Sequence, residues 1–263
     1  MVQKGENELG NELIIIEKAN NIGKIILNNG PLNILTIKMM EQVNKALEGF
    51  LGDQSLKAVI FDHTGKVFSA GVDIGDHMGD KAPIMIKEFH RIFRNLNKLK
   101  CPTIASIKGA ALGGGCEIAI FCDIVLTSDK AKFGQPEIKV GVFPPIAVLA
   151  FPQIIGNKKA FELIMLGEII DAKEAFRLGI SNYVFPIESY EQEFSKFIET
   201  FNDLSTIVLQ YTKKAFNIAV GFDFETQLDK VEEFYLEELM ATHDANEGLQ
   251  SFLEKRSPNW QNR

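Results

Sequence analysis

Short runs of β-branched and apolar residues alternate along most of the chain with stretches whose apolar residues recur every third or fourth position. ELIIIEK (Glu12 to Lys18) and GKIILN (Gly23 to Asn28), separated by the turn-prone ANN, read as a hairpin. Met40, Val43, Leu47 and Phe50 then mark one face of a helix, KAVIFD (Lys57 to Asp62) a buried strand, and Ile86, Phe89, Phe93 and Leu96 a second amphipathic helix. TIASI (Thr103 to Ile107) and DIVLT (Asp123 to Thr127) read as strands with a helix between them. Strands separated by helices of this length pair in parallel through right-handed crossovers, so the fold class expected is α/β.

Past Val184 the strand signal stops. Ser189 with Gln192 reads as a capping box before Phe194, Phe197, Ile198 and Phe201, and Asp244 with Glu247 as another before the last helix. The final third is therefore expected to be helical and to pack on the α/β core or on another subunit.

A 263-residue chain with 46% hydrophobic residues fills a sizeable core. A net charge of -7 without a concentrated basic surface argues against nucleic acid as a partner. The start, MVQKGENELGNE, has no apolar core of a signal peptide, and the longest apolar stretches are broken by Glu117, Asp123 or prolines. No membrane span is expected, and the cytoplasm is the default location. Cys101, Cys116 and Cys122 are an odd count without CxxC spacing, which suits reduced, packed thiols.

The chemistry is expected in ALGGGCEIAIFCDIV, where three glycines and a carboxylate interrupt an apolar run. Glycines between a strand and a helix leave the first N–H groups of the helix open to a negative oxygen. The alternative is tight packing of the turn against a neighbouring strand. A dinucleotide site does not fit, because no GxGxxG spacing is present. HTGKVFSAGVDIGDH, His63 to His77, offers a second irregular turn after a buried strand, with a free N–H expected near Val72. Two convergent N–H groups make an oxyanion hole.

FSAGVD, IKGAALGGGCEIAIFCD and AKFGQPEIKVG, in this order and spacing, resemble the three core motifs of the crotonase (enoyl-CoA hydratase/isomerase) superfamily. SFLEKRSPNW, Ser251 to Trp260, resembles that family's carboxyl-terminal signature, and the similarity runs over essentially the whole chain. The resemblance implies a spiral of ββα units over residues 1–200 and a helical region, 201–263, that forms homotrimers, often paired into hexamers. It implies an acyl-CoA thioester as substrate, its oxygen gripped by the N–H groups of Val72 and Gly114, with no separate cofactor and no metal.

The two catalytic glutamates of the hydratase branch fall on Glu117 and Glu137. In that reading Glu117 is the base toward water and Glu137 the acid toward Cα. The alternative for each is a buried structural carboxylate. Ala70, Asp73, Ile74 and His77 of the first motif, Phe143 and Pro145 after the second glutamate, and Lys255 are candidate contacts for the acyl-CoA. For Lys255 and Arg256 a solvated helix end is the competing reading. His63, His90 and His243 show no metal spacing and are expected to be structural or solvated. Ser69 lacks the GxSxG context of a nucleophile.

Common hydratases continue after the second glutamate with a glycine-rich GxxPGxGG turn, where this chain has GVFPPIAVLAFPQ, Gly141 to Gln153. Two prolines stiffen that turn, and Ile146, Val148 and Leu149 are expected to replace glycines beside the acyl group. FSAGVDIGDH together with FGQPEIKVGVFPP most resembles the branch that hydrates cyclohexa-1,5-diene-1-carbonyl-CoA in anaerobic aromatic-acid degradation. The competing readings are a double-bond isomerase, a short-chain enoyl-CoA hydratase, a thioester hydrolase, and a non-catalytic CoA-binding protein; an RNA-binding member is disfavoured by the acidic charge.

Overall fold

The computed structural model describes residues 12–220 and 223–261. The amino-terminal stretch read as lacking a leader lies almost entirely outside these residues. β1 (Ile14–Ala19) and β2 (Ile22–Leu27) form the expected antiparallel hairpin, Ile14 opposite Leu27. Asn20 and Asn21 both take positive φ, at 51° and 62°, as a tight turn matched to strand twist requires. α1 (Ile37–Leu51) follows, capped by the Thr36 hydroxyl, with Met40, Val43, Leu47 and Phe50 buried on its inner face.

The rest of the core repeats one pattern: a strand in a large sheet, a short strand in a small sheet, then a helix. The units are β3 (Ala58–His63), β4 (Val67–Ser69), α2 (Lys81–Lys98); β5 (Thr103–Ile107), β6 (Ala110–Leu112), α3 (Gly114–Phe121); and β7 (Ile124–Ser128), β8 (Lys132–Gly134), α4 (Pro145–Ile155). α5 (Asn157–Leu166), β9 (Ile169–Asp171), α6 (Ala172–Leu178) and β10 (Tyr183–Phe185) complete both sheets. The large sheet runs β1-β2-β3-β5-β7-β10 and is parallel from β2 onward; the small one runs β4-β6-β8-β9. The sequence reading missed the small sheet, because three-residue strands show no period.

The helical end is α7 (Tyr190–Glu199), α8 (Thr206–Val220), α9 (Phe224–Glu233) and α10 (His243–Leu253), with a π-helical turn at Phe234–Leu239. Neither expected capping box forms. Ser189 makes no side-chain cap, and α10 is capped by Thr242, whose hydroxyl accepts from Ala245 N–H at 3.1 Å, two residues before the expected Asp244. Asp244 and Glu247 are drawn instead to the chain end: Gln261 N–H donates to Asp244, and Asn259 N–H and Arg256 donate to Glu247.

α9 docks on the core through an aromatic chain, Phe93 to Phe121 at 5.2 Å and Phe121 to Phe224 at 4.7 Å between ring centres. Arg94 of α2 adds ion pairs to Glu225, Asp229 and Glu232. The cavity described next is walled partly by these helices.

Candidate active site

The loops after β4 and β6 lie against each other. A Cβ placed on Gly71 would sit 3.8 Å from Gly114 N, and one placed on Gly113 would sit 3.6 Å from Gly71 Cα. Leu35 bridges this loop in parallel: its N–H donates to Gly71 C=O, and its C=O accepts from Asp73 N–H. That alternation turns the Val72 N–H away from the bridge. Gly114 is the first residue of α3, so its N–H has no carbonyl a turn earlier to meet. Gly113, at φ 51° and ψ -130°, takes a backbone conformation closed to L side chains, and its missing Cβ would stand 2.7 Å from a Glu137 oxygen.

Glu117, one turn into α3, is 2% exposed. One of its oxygens accepts both the Ile146 N–H, at 2.8 Å, and the Ala147 N–H, at 3.0 Å. These are the first free donors of α4, because Pro144 and Pro145 before them have none. The carboxylate thus caps the positive end of another helix. Burial nevertheless pushes its pKa up to about 7, against those two hydrogen bonds.

Glu137, in the single-turn helix Pro136–Val140, is half-buried in the cavity wall, and its pKa is raised by burial and by the neighbouring Glu117. With its NH2 turned toward the carboxylate, the buried Gln135 amide lies 3.2 Å from both Glu137 oxygens. The two glutamates are therefore unlike: Glu117 has fixed donors for its anion, and Glu137 is pushed toward its acid form by its partner's charge.

Both carboxylates and both loops open on one cavity of about 680 Å3, within the range that holds a small-molecule ligand. Val72, Gly114, Ala70, Asp73, Ile74, His77, Phe143 and Pro145 all line it. Lys255 does not line it. It is exposed, two residues beyond Leu253, which does, while Lys139 is the basic side chain on the cavity wall.

Ile146, Val148 and Leu149 do not face the acyl space either. They fall inside α4, with Ile146 and Leu149 buried in the core, and Val142, Phe143, Pro144 and Pro145 shape the wall in their place. The contribution of Ile146 is its backbone N–H to Glu117.

The His77 ring, Nδ1 at 2.9 Å from Asp73 C=O, is held neutral by burial. His63 accepts from Lys108 N–H and His90 pairs with Glu232, which fits structural roles. Ser69 is buried and accepts from Gly71 N–H at 3.2 Å, shaping the loop. Among the described residues no cluster of three metal-ligating side chains occurs, and no helix is long and apolar enough to cross a membrane. All three cysteines are free and buried. Phe89 and Tyr235 also line the cavity; both sit in apolar helical stripes that look like ordinary core in the sequence.

The raised pKa of Glu117 has a stability consequence. The folded chain retains a proton that the unfolded chain releases near its ordinary value of 4.5, so stability falls as pH rises from there through about 7. The shift is worth about 3 kcal/mol at most. Glu117→Gln, which keeps an oxygen for the Ile146 and Ala147 donors, is expected to lose less stability than the wild type between about pH 4.5 and pH 8. Urea denaturation at the two pH values measures this.

The enoyl-CoA hydratase/isomerase family matches residues 17–263. The chain belongs to that family. It is 36% identical over 248 residues to the cyclohexa-1,5-dienecarbonyl-CoA hydratase of Thauera aromatica, covering 94% of this chain and 96% of that one. It is 32% identical over 258 residues to the mitochondrial enoyl-CoA hydratase of Pongo abelii, covering 95% and 88%. The crystal structure of an enoyl-CoA hydratase from Mycobacterium avium subsp. paratuberculosis superposes with a TM-score of 0.83 at 27% identity, over 95% of this chain and 99% of that one. The crotonase-like spiral expected from the motifs is thus the fold, and the protein is an enzyme of the enoyl-CoA hydratase kind.

Proposed function

We propose that the enzyme adds water to an alicyclic dienoyl-CoA thioester, with cyclohexa-1,5-diene-1-carbonyl-CoA as the substrate. The observation that carries the hydration is the pair of unlike glutamates facing one cavity. The Val72 and Gly114 N–H groups hold the thioester oxygen and draw electron density toward it. Glu117, ionised and held by two N–H groups, takes a proton from water. The water oxygen bonds to one carbon of the activated double bond, and protonated Glu137 gives its proton to the other. One C–O and one C–H bond form as one π bond is lost, and proton exchange resets the pair. No separate cofactor enters this sequence, and coenzyme A is part of the substrate.

The cyclic substrate is supported by the cavity wall and by the similarity to the Thauera hydratase. Pro144 and Pro145 stiffen the acyl end, while Phe89, Phe143 and Tyr235 offer flat apolar faces that suit a ring. The test is a competition between cyclohexa-1,5-diene-1-carbonyl-CoA and crotonyl-CoA, with products read by liquid chromatography and mass spectrometry. The cyclic thioester is expected to gain one water at the higher kcat/KM. Faster turnover of crotonyl-CoA would make this a short-chain hydratase, and a shifted double bond without added water would make it an isomerase.

In this proposal residues 1–200 are the catalytic spiral and 201–263 the region that joins subunits into a homotrimer or homohexamer in the cytoplasm. α8 supports the assembly: Ile207, Val208, Tyr211, Phe216 and Ile218 are all more than half exposed, a strip too apolar for an isolated surface helix.

A further inference from the structure

Tyr235 is a tyrosine in an unusual position. It stands on the π-helical turn Phe234–Leu239, where the Met240 N–H reaches back five residues to the Tyr235 carbonyl at 3.0 Å. Its side chain continues the buried stripe of Phe224 and Leu228, and only 1% of its surface is exposed. The ring meets Phe143 edge to face at 5.2 Å and lines the cavity that holds Glu117 and Glu137.

A buried tyrosine hydroxyl normally has a hydrogen-bond partner. The Tyr235 hydroxyl makes no hydrogen bond among the described residues, yet it is not a sealed group, since the one fully buried side-chain polar atom without a partner there is His90 Nε2. The other fully buried tyrosine, Tyr190, is satisfied by Ser106 and the Leu126 carbonyl. Burial holds the phenol protonated, so it is available as a donor. π-helical turns recur where a side chain is needed at a functional site.

We infer that the Tyr235 hydroxyl is a third polar contact, beside Glu117 and Glu137, for the oxygen atom that water adds to the substrate. The inference rests on the hydratase reading. The phenol donates to that oxygen in the bound water and in the product hydroxyl and keeps its own proton, so no bond is made or broken at Tyr235. Its ring meanwhile closes the acyl space. The enoyl thioester, which lacks this oxygen, gains nothing from the donor.

The test is Tyr235→Phe, which removes one atom and leaves the ring on Phe143. Calorimetric titration with 3-hydroxybutyryl-CoA and butyryl-CoA compares two thioesters that differ by the oxygen in question. The hydroxyacyl thioester is expected to bind about tenfold more weakly to the variant, the loss of roughly one hydrogen bond. Butyryl-CoA is expected to bind as it does to the wild type. For whichever enoyl-CoA the wild type hydrates, kcat is expected to fall by a similar factor at steady KM.

A purely structural tyrosine would lower the melting temperature instead; here the hydroxyl has no protein partner to lose, and melting is expected unchanged. Equal weakening of both thioesters, or of neither, overturns the inference. Selective weakening in a protein whose wild type hydrates no enoyl-CoA would retain the contact and reject the hydratase reading. Phe143→Leu, which keeps the phenol, is expected to weaken both thioesters alike.

Discussion

Glu117→Gln and Glu137→Gln are each expected to lower the kcat of hydration by about 10²- to 10⁴-fold, the range over which a positioned acid or base contributes. Neither change should harm the fold. Glutamine at 117 still accepts from Ile146 and Ala147, and glutamine at 137 removes a carboxyl whose ionisation is opposed by burial and by its neighbour. The melting temperature above neutral pH is expected to hold or rise, because both substitutions remove charge from a site that desolvates it. Steady-state rates beside thermal melts check both halves. A rate loss accompanied by an equal loss of stability would instead make the carboxylates structural.

Gly114→Ala is expected to lower kcat by roughly 10²-fold or more, the effect of spoiling one oxyanion donor. The added methyl would lie 2.7 Å from Val72 Cγ2 and 3.0 Å from the Phe89 ring. Val72 is short and carries the other donor N–H, so relief of that overlap moves one of the two donors. The same crowding in a packed core costs stability of about 1 to 3 kcal/mol. The measurement is kcat and KM with one enoyl-CoA, together with urea denaturation. Unchanged kcat with lowered stability would show that the glycine serves packing alone, the alternative left open by the sequence.

The periodic elements were legible because each buries one face. The hairpin, α1, α2 and the strands β3, β5 and β7 all stand where the apolar spacing puts them. β4, β6 and β8 were not legible, since three residues cannot show a period, yet they bring Val72 beside Gly114. In the site, the glycines and glutamates stood out because they break local rules: three poor helix formers at a helix start, and a carboxylate in an apolar run.

The partners of those groups did not stand out. Ile146 and Ala147 act through their backbone, and their side chains look like core. Tyr235 shares a stripe with Phe224 and Leu228 and lies far downstream of Glu117 in the chain. Lys255 was nominated for its charge and motif, whereas Lys139, beside the second glutamate, lies on the cavity wall. The expected cap of α10 failed because Arg256 and the backbone of Asn259 and Gln261 took Glu247 and Asp244, and that of α7 because the Ser189 hydroxyl donates to the Pro186 carbonyl instead.

The central claim is that two unlike carboxylates act as one unit on water over one activated thioester. The most direct test is the hydration rate of one enoyl-CoA by the wild type, the two single glutamine variants and the double variant. Groups that act as a unit are not additive. The double variant is therefore predicted to be about as slow as the slower single variant. A single variant that retains close to the wild-type rate would contradict the account, because one carboxylate would then suffice and the second would have no part in the addition of water.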